Sequence, residues 1–141
     1  MKTGKVLKWI GIVLVVLVGL RVGVAAIWPT INDVKTGATP EYADIQPQRF
    51  KQPVDRVFAA ALATVRAAGW EVTAQDPGKG EIRAVATTAV FRFNDDITIA
   101  IAREGEGTLV NVRSRSRIGL GDFGTNARRI VRFQADLARQ L

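Results

Sequence analysis

The 141-residue chain contains no cysteine and no histidine. The absence of cysteine excludes disulfides, thiolate metal sites, lipid-modified cysteines and cysteine nucleophiles. The absence of histidine removes the side chain that most often transfers protons near neutral pH and most often binds metals. Ser114 and Ser116 therefore have neither a histidine nor a nearby lysine that would activate them as nucleophiles. We predict a protein without enzymatic activity and without a bound metal or cofactor.

Acidic residues are missing before Asp33, although the whole chain has 20 basic and 13 acidic residues and a formal charge of +7. Such an excess of positive charge, if it were spread over the fold, would indicate a nucleic-acid-binding protein. Four of the basic residues lie in the acid-free segment, namely Lys2, Lys5, Lys8 and Arg21. From Trp28 onward 16 basic residues face 13 acids, which leaves only +3. We therefore predict no nucleic-acid partner.

The apolar run from Val6 to Trp28 is 23 residues long. A helix of this length, with a rise of about 1.5 Å per residue, is about 34 Å long and crosses a hydrocarbon core of about 30 Å. Trp9 and Trp28 lie near its ends, where aromatic rings favour the headgroup region, and the preceding lysines predict a cytoplasmic N-terminus. We predict a single-pass anchor over residues 1–28 in the cell inner membrane, with the lipid bilayer as a partner and the remaining chain in the periplasm.

Two features of this run leave alternatives open. A basic start followed by an apolar stretch also describes a secretory signal, and Val24-Ala25-Ala26 offers small residues for cleavage. Arg21 interrupts the apolar run, and it either extends toward the headgroups or pairs with a polar group on a neighbouring membrane subunit.

Residues 29–52 contain turn-forming residues such as Gly37, Pro40 and Pro47, without sustained periodicity. We predict a linker here, in which Ile45 to Lys51 is a candidate short edge strand. The folded domain then covers residues 53–141.

Within residues 53–141 the hydrophobic period changes from helical to strand-like and back. An apolar stripe from Val54 to Val65, after Pro53, predicts a helix that ends at Gly69. Two-residue alternation predicts strands over residues 70–75 and 81–88, around residues 97–101, and from residue 109 to 117. Asp76-Pro77-Gly78-Lys79-Gly80 predicts a hairpin turn, and residues 88–96 are interpreted as a connection.

A second helix is predicted from Thr125, because Ala127, Ile130, Phe133 and Leu137 follow helical spacing. The order αββββα predicts an α+β fold behind the N-terminal transmembrane helix. Its second part is a two-layer sandwich, in which a four-stranded antiparallel sheet is covered by two helices. The small residues Ala84, Ala86, Ala100 and Ala102 leave either a cavity below the helices or a space that Phe58, Phe133 and Leu137 fill, and close packing favours the second.

Arginines are concentrated between Val110 and Arg132, on both sides of a glycine-rich turn. A helix start presents free backbone N–H groups and partial positive charge, which favour phosphate, carboxylate or a lipid headgroup. We predict that this region forms an anion or partner site consisting of Arg115, Arg117, Asp122, Thr125, Asn126, Arg128 and Arg129. The alternative is that Asp122 or Thr125 caps the helix and the arginines pair with acids such as Asp95 and Asp96.

Asp95, Asp96 and Asp122 are oxygen ligands suited to a hard cation, but their spacing fits no calcium or magnesium loop. Adjacent residues of a strand point to opposite faces, so we expect one of the first two to bind an arginine of the next strand instead.

Three stretches carry a family resemblance, together with the tetrapeptide Thr39-Pro40-Glu41-Tyr42. They are Phe91 to Asp96, Ser114 to Gly119 and Asp122 to Ile130, of which the last is the most specific. From about Thr39 to its end the chain resembles domain-of-unknown-function family 1499 of bacteria and plastids. The resemblance implies a position behind a membrane segment or export signal, and it implies no activity.

We expect the domain to act outside the cytoplasm as a non-enzymatic binding or accessory module, with another membrane protein as its partner. Two alternatives remain: an anionic-lipid or small-anion binding domain, and a periplasmic enzyme that uses carboxylates.

Overall fold

The computed structural model describes residues 2–141. The chain consists of two compact units, and the boundary between them in the sequence lies between Thr30 and Ile31. Helix α1, Lys2–Ile27, forms most of the first unit. Its stretch Gly4–Val24 is long and apolar enough to cross a membrane, a property that it shares with signal sequences. Trp9 and Arg21 are exposed on this helix, and Trp28 directly follows it.

The second unit is an antiparallel sheet with two helices. Along the chain its elements are β1 (Asp33–Lys35), a short 3-10 turn (Pro40–Tyr42), β2 (Gln48–Phe50), α2 (Val54–Ala67), β3 (Glu71–Asp76), β4 (Glu81–Thr87), β5 (Asn94–Glu104), β6 (Gly107–Ser116) and α3 (Thr125–Ala138). Strands β6, β5, β4 and β3 are consecutive neighbours in the sheet. Both β1 and β2 pair with the free edge of β6, at residues 113–115 and 108–110 respectively. The fold is therefore α+β, as predicted, but the sheet has six strands.

The two additional strands correct the prediction of a four-stranded sheet after a linker at residues 29–52. Val34 of β1 and Ile45, which precedes β2, lie in the hydrophobic core, where burial of each side chain contributes roughly 1.5–3 kcal/mol. Strands of three residues are too short to show a hydrophobic period, and for this reason residues 29–52 were predicted to be irregular. The candidate edge strand within Ile45 to Lys51 is confirmed as β2.

The predicted helices and the predicted hairpin are confirmed. Helix α2 ends at Ala67, and the expected terminating glycine, Gly69, has a φ of 74° and donates its N–H to Arg66 O. The β3–β4 turn closes with Lys79 N–H donating to Asp76 Oδ1. Gly80 ends this turn in direct contact with β5, since a Cβ at this position would lie 1.9 Å from Ile101 O.

Strands β5 and β6 each have one covered and one open face. Ile97, Ile99 and Ile101 of β5 are buried beside Val110 and Val112 of β6. The stripes of α2 and α3 cover this face with Val57, Ala61, Val65, Ile130, Phe133 and Leu137. Ala84 and Ala86 lie below the helices, whereas Ala100 and Ala102 are on the open face, so the four alanines do not line one cavity. Phe133 and Leu137 are fully buried, which agrees with close packing.

Candidate functional site

A buried polar cluster lies below the N-terminal end of α3, where the covered face of the sheet changes from apolar to polar. Asp95 of β5 faces Ser116 of β6, and Ser114 is the next residue on the same face. Helix α3 supplies Asn126 and Arg129 from its first turn and a half. These five residues, here called the polar cluster, are nearly inaccessible to solvent.

The cluster is organised around an ion pair. The Nη2 of Arg129 donates to Asp95 Oδ2 at 2.7 Å, and the two side chains are only 11% and 2% exposed. Arg129 Nη1 donates to Ser114 Oγ and to Asn126 Oδ1, at 3.0 and 2.8 Å. A buried ion pair is retained only when further hydrogen bonds compensate for its desolvation, and these bonds do so.

Asn126 connects the cluster to the N-terminal end of the domain. Its Oδ1 accepts from Ser114 Oγ at 2.6 Å, and its Nδ2 donates to Ser116 Oγ and to Asn32 O. The Asn32 carbonyl also accepts from Ser116 N–H. The arrangement fixes the start of the domain against both β6 and α3.

Asp122 occupies the start of α3. Its carboxylate accepts from the N–H groups of Gly124 and Asn126, at 2.9 and 2.7 Å, and its carbonyl accepts from Thr125 N–H. The structure thus shows the capping alternative: backbone donors that would hold an external anion are already bound to Asp122. Among residues 2–141 no group of three acidic side chains is close enough to hold a metal ion.

Next to the polar cluster is a cleft of about 540 Å³ between the β4–β5 and β6–α3 loops, here called the loop cleft. Asp95, Ser116, Asp122 and Arg129 contribute to its lining. Its apolar lining comes from the loops, namely Val90, Phe91, Phe93, Ile118 and Phe123. Phe91 and Phe93 stack with ring centroids 5.6 Å apart. The loop cleft therefore offers apolar walls beside a polar base, the usual composition of a small-molecule site.

Each loop of the cleft contains a non-glycine residue with a positive φ. Arg92 has a φ of 56° and Phe123 a φ of 52°. Within residues 2–141 these are the two positive-φ residues other than glycine. A left-handed conformation is unfavourable for such side chains, and it persists where the surrounding structure enforces it, as at ligand sites.

A second concavity of about 830 Å³ lies between α2 and α3 and is here called the arginine groove. Arg128, Arg129, Arg132 and Arg139 line it, against the one acidic lining residue Asp136. Trp70 and Phe133, which stack at 5.8 Å, form part of its wall. Thr125 and Arg129 line both the arginine groove and the loop cleft, so the two concavities adjoin.

Arg115 and Arg117 are not part of either concavity. Arg115 of β6 and Arg117, which directly follows this strand, project from the open face, because the helices pack on the apolar face and alternate residues turn away from them. Arg117 hydrogen-bonds Asp96, and Arg113 pairs with Asp33 in the same way. Two exposed ion pairs thus flank Arg115 on the open face, and Arg115 lies opposite both acids in register.

These exposed pairs shift the pKa of their carboxyl groups. Hydrogen bonds from Arg117 lower the pKa of Asp96, desolvation opposes them, and the charges of Arg117 and Arg115 lower it further. Hydrogen bonding to Arg113 likewise lowers the pKa of Asp33, against desolvation and with help from the charges of Arg113, Arg115 and Lys35.

The seven residues of the predicted anion or partner site therefore fall into three places. Arg115 and Arg117 lie on the open face, Asn126 and Arg129 belong to the polar cluster, and Asp122 caps α3. Thr125 and Arg128 lie at the start of the helix, where Arg128 donates to Phe123 O at 2.8 Å. Asp95 and Asp96 point to opposite faces, and Asp96 binds an arginine of the neighbouring strand as expected.

Comparison with known proteins identifies one family over most of the chain. The family model described as a protein of unknown function, DUF1499, matches residues 24–137. The chain belongs to this family. A search of the curated proteins finds no relative of the chain.

Two solved structures were superposed on the chain of this DUF1499 protein. CalU16 from Micromonospora echinospora superposes with a TM-score of 0.50 at 14% identity, over 67% of this chain and 68% of that one. TTHA0849 from Thermus thermophilus gives a TM-score of 0.39 at 16% identity, over 77% and 95% of the two chains. The similarity to CalU16 concerns the fold alone.

Tyr42 of the DUF1499 domain was not selected as a candidate residue from the sequence, and it packs against the hydrophobic core. Its hydroxyl is buried without a hydrogen-bond partner. Burial raises the pKa of this hydroxyl, the charge of Asp122 raises it further, and that of Arg128 lowers it. The charge of Asp122 acts on Tyr42 although 80 positions separate the two residues in the sequence.

The apolar walls of the DUF1499 loop cleft were also missed. Phe91 and Phe93 were interpreted as part of a connection, and Ile118 and Phe123 as part of a glycine-rich turn. The available signal was the presence of large apolar residues in segments with neither helical nor strand periodicity. The stretches that carry the family resemblance, from Phe91 and from Ser114 and Asp122 onward, meet at this cleft.

Proposed function

We propose that this protein is a single-pass, membrane-anchored binding module that holds an anionic amphipathic lipid on the periplasmic side of the inner membrane. The supporting observation is that the loop cleft and the arginine groove adjoin through Thr125 and Arg129. Apolar walls suit an acyl chain, and clustered arginines suit a phosphate headgroup, so adjacent sites of both kinds match the two ends of one lipid molecule.

Charge in the groove supports a negatively charged ligand. Arg132 is largely exposed and its contact with Asp136 is 4.0 Å long, whereas Asp136 binds Arg139 more closely. One carboxylate thus serves two arginines, and Arg128 donates to the neutral acceptors Phe123 O and Thr125 Oγ1. Positive charge in the groove exceeds negative charge, which favours a phosphate group.

A binding role agrees better with the carboxylates than an enzymatic role does. Asp95 is bound to Arg129, and both carboxylate oxygens of Asp122 accept backbone N–H groups. A catalytic carboxylate needs access to the proton that it transfers, and these two are engaged in holding the fold. The proposed module is therefore non-enzymatic.

The test compares two lipids with the full chain purified in mild detergent. A short-chain phosphatidylglycerol should bind more tightly than the zwitterionic phosphatidylcholine of equal chain length. The double variant Arg128→Gln, Arg132→Gln should weaken phosphatidylglycerol binding roughly 10- to 30-fold, since each arginine near a headgroup contributes about 1 kcal/mol.

The control for this test is Arg103→Gln together with Arg49→Gln. It removes the same charge from exposed positions outside both concavities. Equal affinity for the two lipids, or an equal loss in the control, would refute the lipid-binding proposal.

An accessory role beside another membrane protein remains part of the proposal. Mild detergent extraction followed by pull-down of the full chain tests it directly. Recovery of one defined membrane protein in stoichiometric amount supports the accessory role, and recovery of the isolated chain contradicts it.

A further inference from the structure

The exposed apolar side chains of the domain are concentrated at one end. Within residues 31–141, all of which the structure describes, seven large apolar side chains are exposed, and Val131 is the one that lies outside the two cleft loops. Five of the other six are between 60% and 86% exposed, namely Val90, Phe91, Ile118, Leu120 and Phe123. Leu120 is the most exposed of them and does not line the cleft. Clustered exposure of this kind marks an interaction surface.

The same end of the domain receives the chain from the anchor. Asp122 N–H donates to Ile31 O at 3.0 Å, and the Asn32 side chain donates to Gly119 O. Ser116 N–H and Asn126 Nδ2 both donate to Asn32 O. The β6–α3 loop and the first residues of the domain are thus held together by hydrogen bonds.

Chain length limits how far this end can lie from a bilayer. The candidate span ends at Val24 and the domain begins at Ile31. Seven residue steps at no more than about 3.6 Å each reach about 25 Å even when fully extended. Since α1 continues as a helix to Ile27, the actual reach is shorter.

We propose that the tips of the two loops insert into the headgroup region of the bilayer that holds the anchor. Apolar side chains of partly exposed loops gain by leaving water for the acyl boundary, and Arg92, exposed at the tip of the β4–β5 loop, meets the anionic headgroups. Insertion turns the mouth of the loop cleft toward the lipid. The inference rests on the proposed anchor, and it is independent of whether a lipid molecule occupies the cleft.

The absence of cysteine allows a direct test with the full chain. Single spin labels at Leu120→Cys and at Phe91→Cys report on the loops, and Glu106→Cys reports on the β5–β6 turn at the opposite end of the sheet. The labelled protein is placed in phosphatidylglycerol-containing nanodiscs with one copy per disc. Accessibility is then measured toward oxygen, which concentrates in lipid, and toward a water-soluble nickel complex.

The expected result is a ratio of oxygen to nickel accessibility several-fold higher at positions 91 and 120 than at position 106. Nickel accessibility at the loops equal to that at position 106 would overturn the proposal. Shielding of the loop labels from both reagents would also overturn it, because burial against protein instead of lipid produces that pattern.

A second pair of variants tests whether the apolar side chains of the other loop hold the label in the lipid. With the label at position 91, the double substitution Ile118→Ser, Leu120→Ser should lower the oxygen-to-nickel ratio at least twofold. Val131→Ser removes an exposed apolar side chain of α3, away from the loops, and should leave the ratio unchanged. Circular dichroism confirms the fold of each variant. Loop labels in lipid without selective phosphatidylglycerol binding would refute the proposed lipid ligand alone.

Discussion

Asp95 and Asp96 are adjacent in β5, and each pairs with an arginine, but they lie on opposite faces of the sheet. The Asp95–Arg129 pair is below α3, with side chains 2% and 11% exposed. The Asp96–Arg117 pair is on the open face, with side chains 52% and 48% exposed. The two distances, 2.7 and 2.6 Å, are nearly equal. Two adjacent carboxylates thus form the same kind of ion pair, one shielded from solvent and the other exposed to it.

The difference shows that geometry alone does not determine what an ion pair contributes. Solvent screens the exposed pair, and ordering of two long side chains offsets much of its attraction. The buried pair lacks this screening, and Ser114 and Asn126 accept further hydrogen bonds from Nη1 of Arg129. It therefore fixes the position of α3 on the sheet, whereas the outer pair mainly changes the titration of its own acid.

The largest expected effect comes from breaking the buried pair. Arg129→Ala leaves the Asp95 carboxylate buried and without its partner, which should destabilise the domain by about 3–5 kcal/mol. Arg117→Ala is the matched control, and it should lower stability far less because its pair is solvated. Urea unfolding of the full chain in micelles measures both, through Trp70 fluorescence in a Trp9→Phe, Trp28→Phe background.

Simultaneous replacement sharpens this prediction. The double variant Asp95→Leu, Arg129→Met removes both charges and retains most of the volume, so it should be less destabilised than Arg129→Ala alone. Equal urea midpoints for Arg129→Ala and Arg117→Ala would show that burial does not distinguish the two pairs.

Removal of the carboxylate that caps α3 should lower the stability of the domain by a smaller amount. Asp122→Ala removes the acceptor of the Gly124 and Asn126 N–H groups, which should cost about 0.5–2 kcal/mol. Hydrogen exchange at these two amides should accelerate more than exchange in α2. Asp44→Ala is the control, since Asp44 is an exposed turn residue outside the loop cleft. Unchanged exchange at Asn126 would mean that water replaces the carboxylate without loss.

The buried and exposed pairs also show what the sequence could predict. Alternation along β5 and β6 is enough to send Asp95 and Asp96 to opposite faces, and a pair between one of them and a strand arginine was expected. The partner of Asp95 was not determined, because Arg129 reaches it from a helix that starts beyond a turn of undetermined path. Periodicity describes each element separately and does not place one element on another.

Short elements and loops limited the prediction in the same way. Strands β1 and β2 have three residues each and are defined by their pairing with β6, 58 to 82 positions away. The surroundings of Tyr42 and of the apolar loop tips are formed by residues that are remote in the sequence. The helices and the β3–β4 hairpin were predicted correctly because local spacing and turn residues specify them.

The exposed Asp96–Arg117 pair should affect mainly the pKa of Asp96. Arg117→Ala removes the hydrogen bonds that lower the pKa of Asp96, so this pKa should rise toward the ordinary value of about 3.9. A depressed carboxyl pKa contributes stability that is present above the unfolded pKa and is lost as the pH falls through the folded pKa. The variant should therefore differ from the wild type above about pH 4 and converge with it in more acidic solution. Carboxyl carbon NMR measures the pKa, and the pKa of Asp33 is the internal control.

The smallest predicted effect concerns Arg115, which acts on both outer acids through charge alone. Arg115→Ala should raise the pKa of Asp96 and of Asp33 together, each by less than removal of its own hydrogen-bonding arginine does. Arg113→Ala supplies the corresponding reference for Asp33. Added salt should reduce the effect of Arg115→Ala more than that of Arg117→Ala, because screening weakens an exposed charge interaction more than a hydrogen bond at 3.0 Å. A pKa shift at only one of the two acids would show that Arg115 pairs with a single partner. The open face would then contain a specific ion pair at this position, as the covered face does.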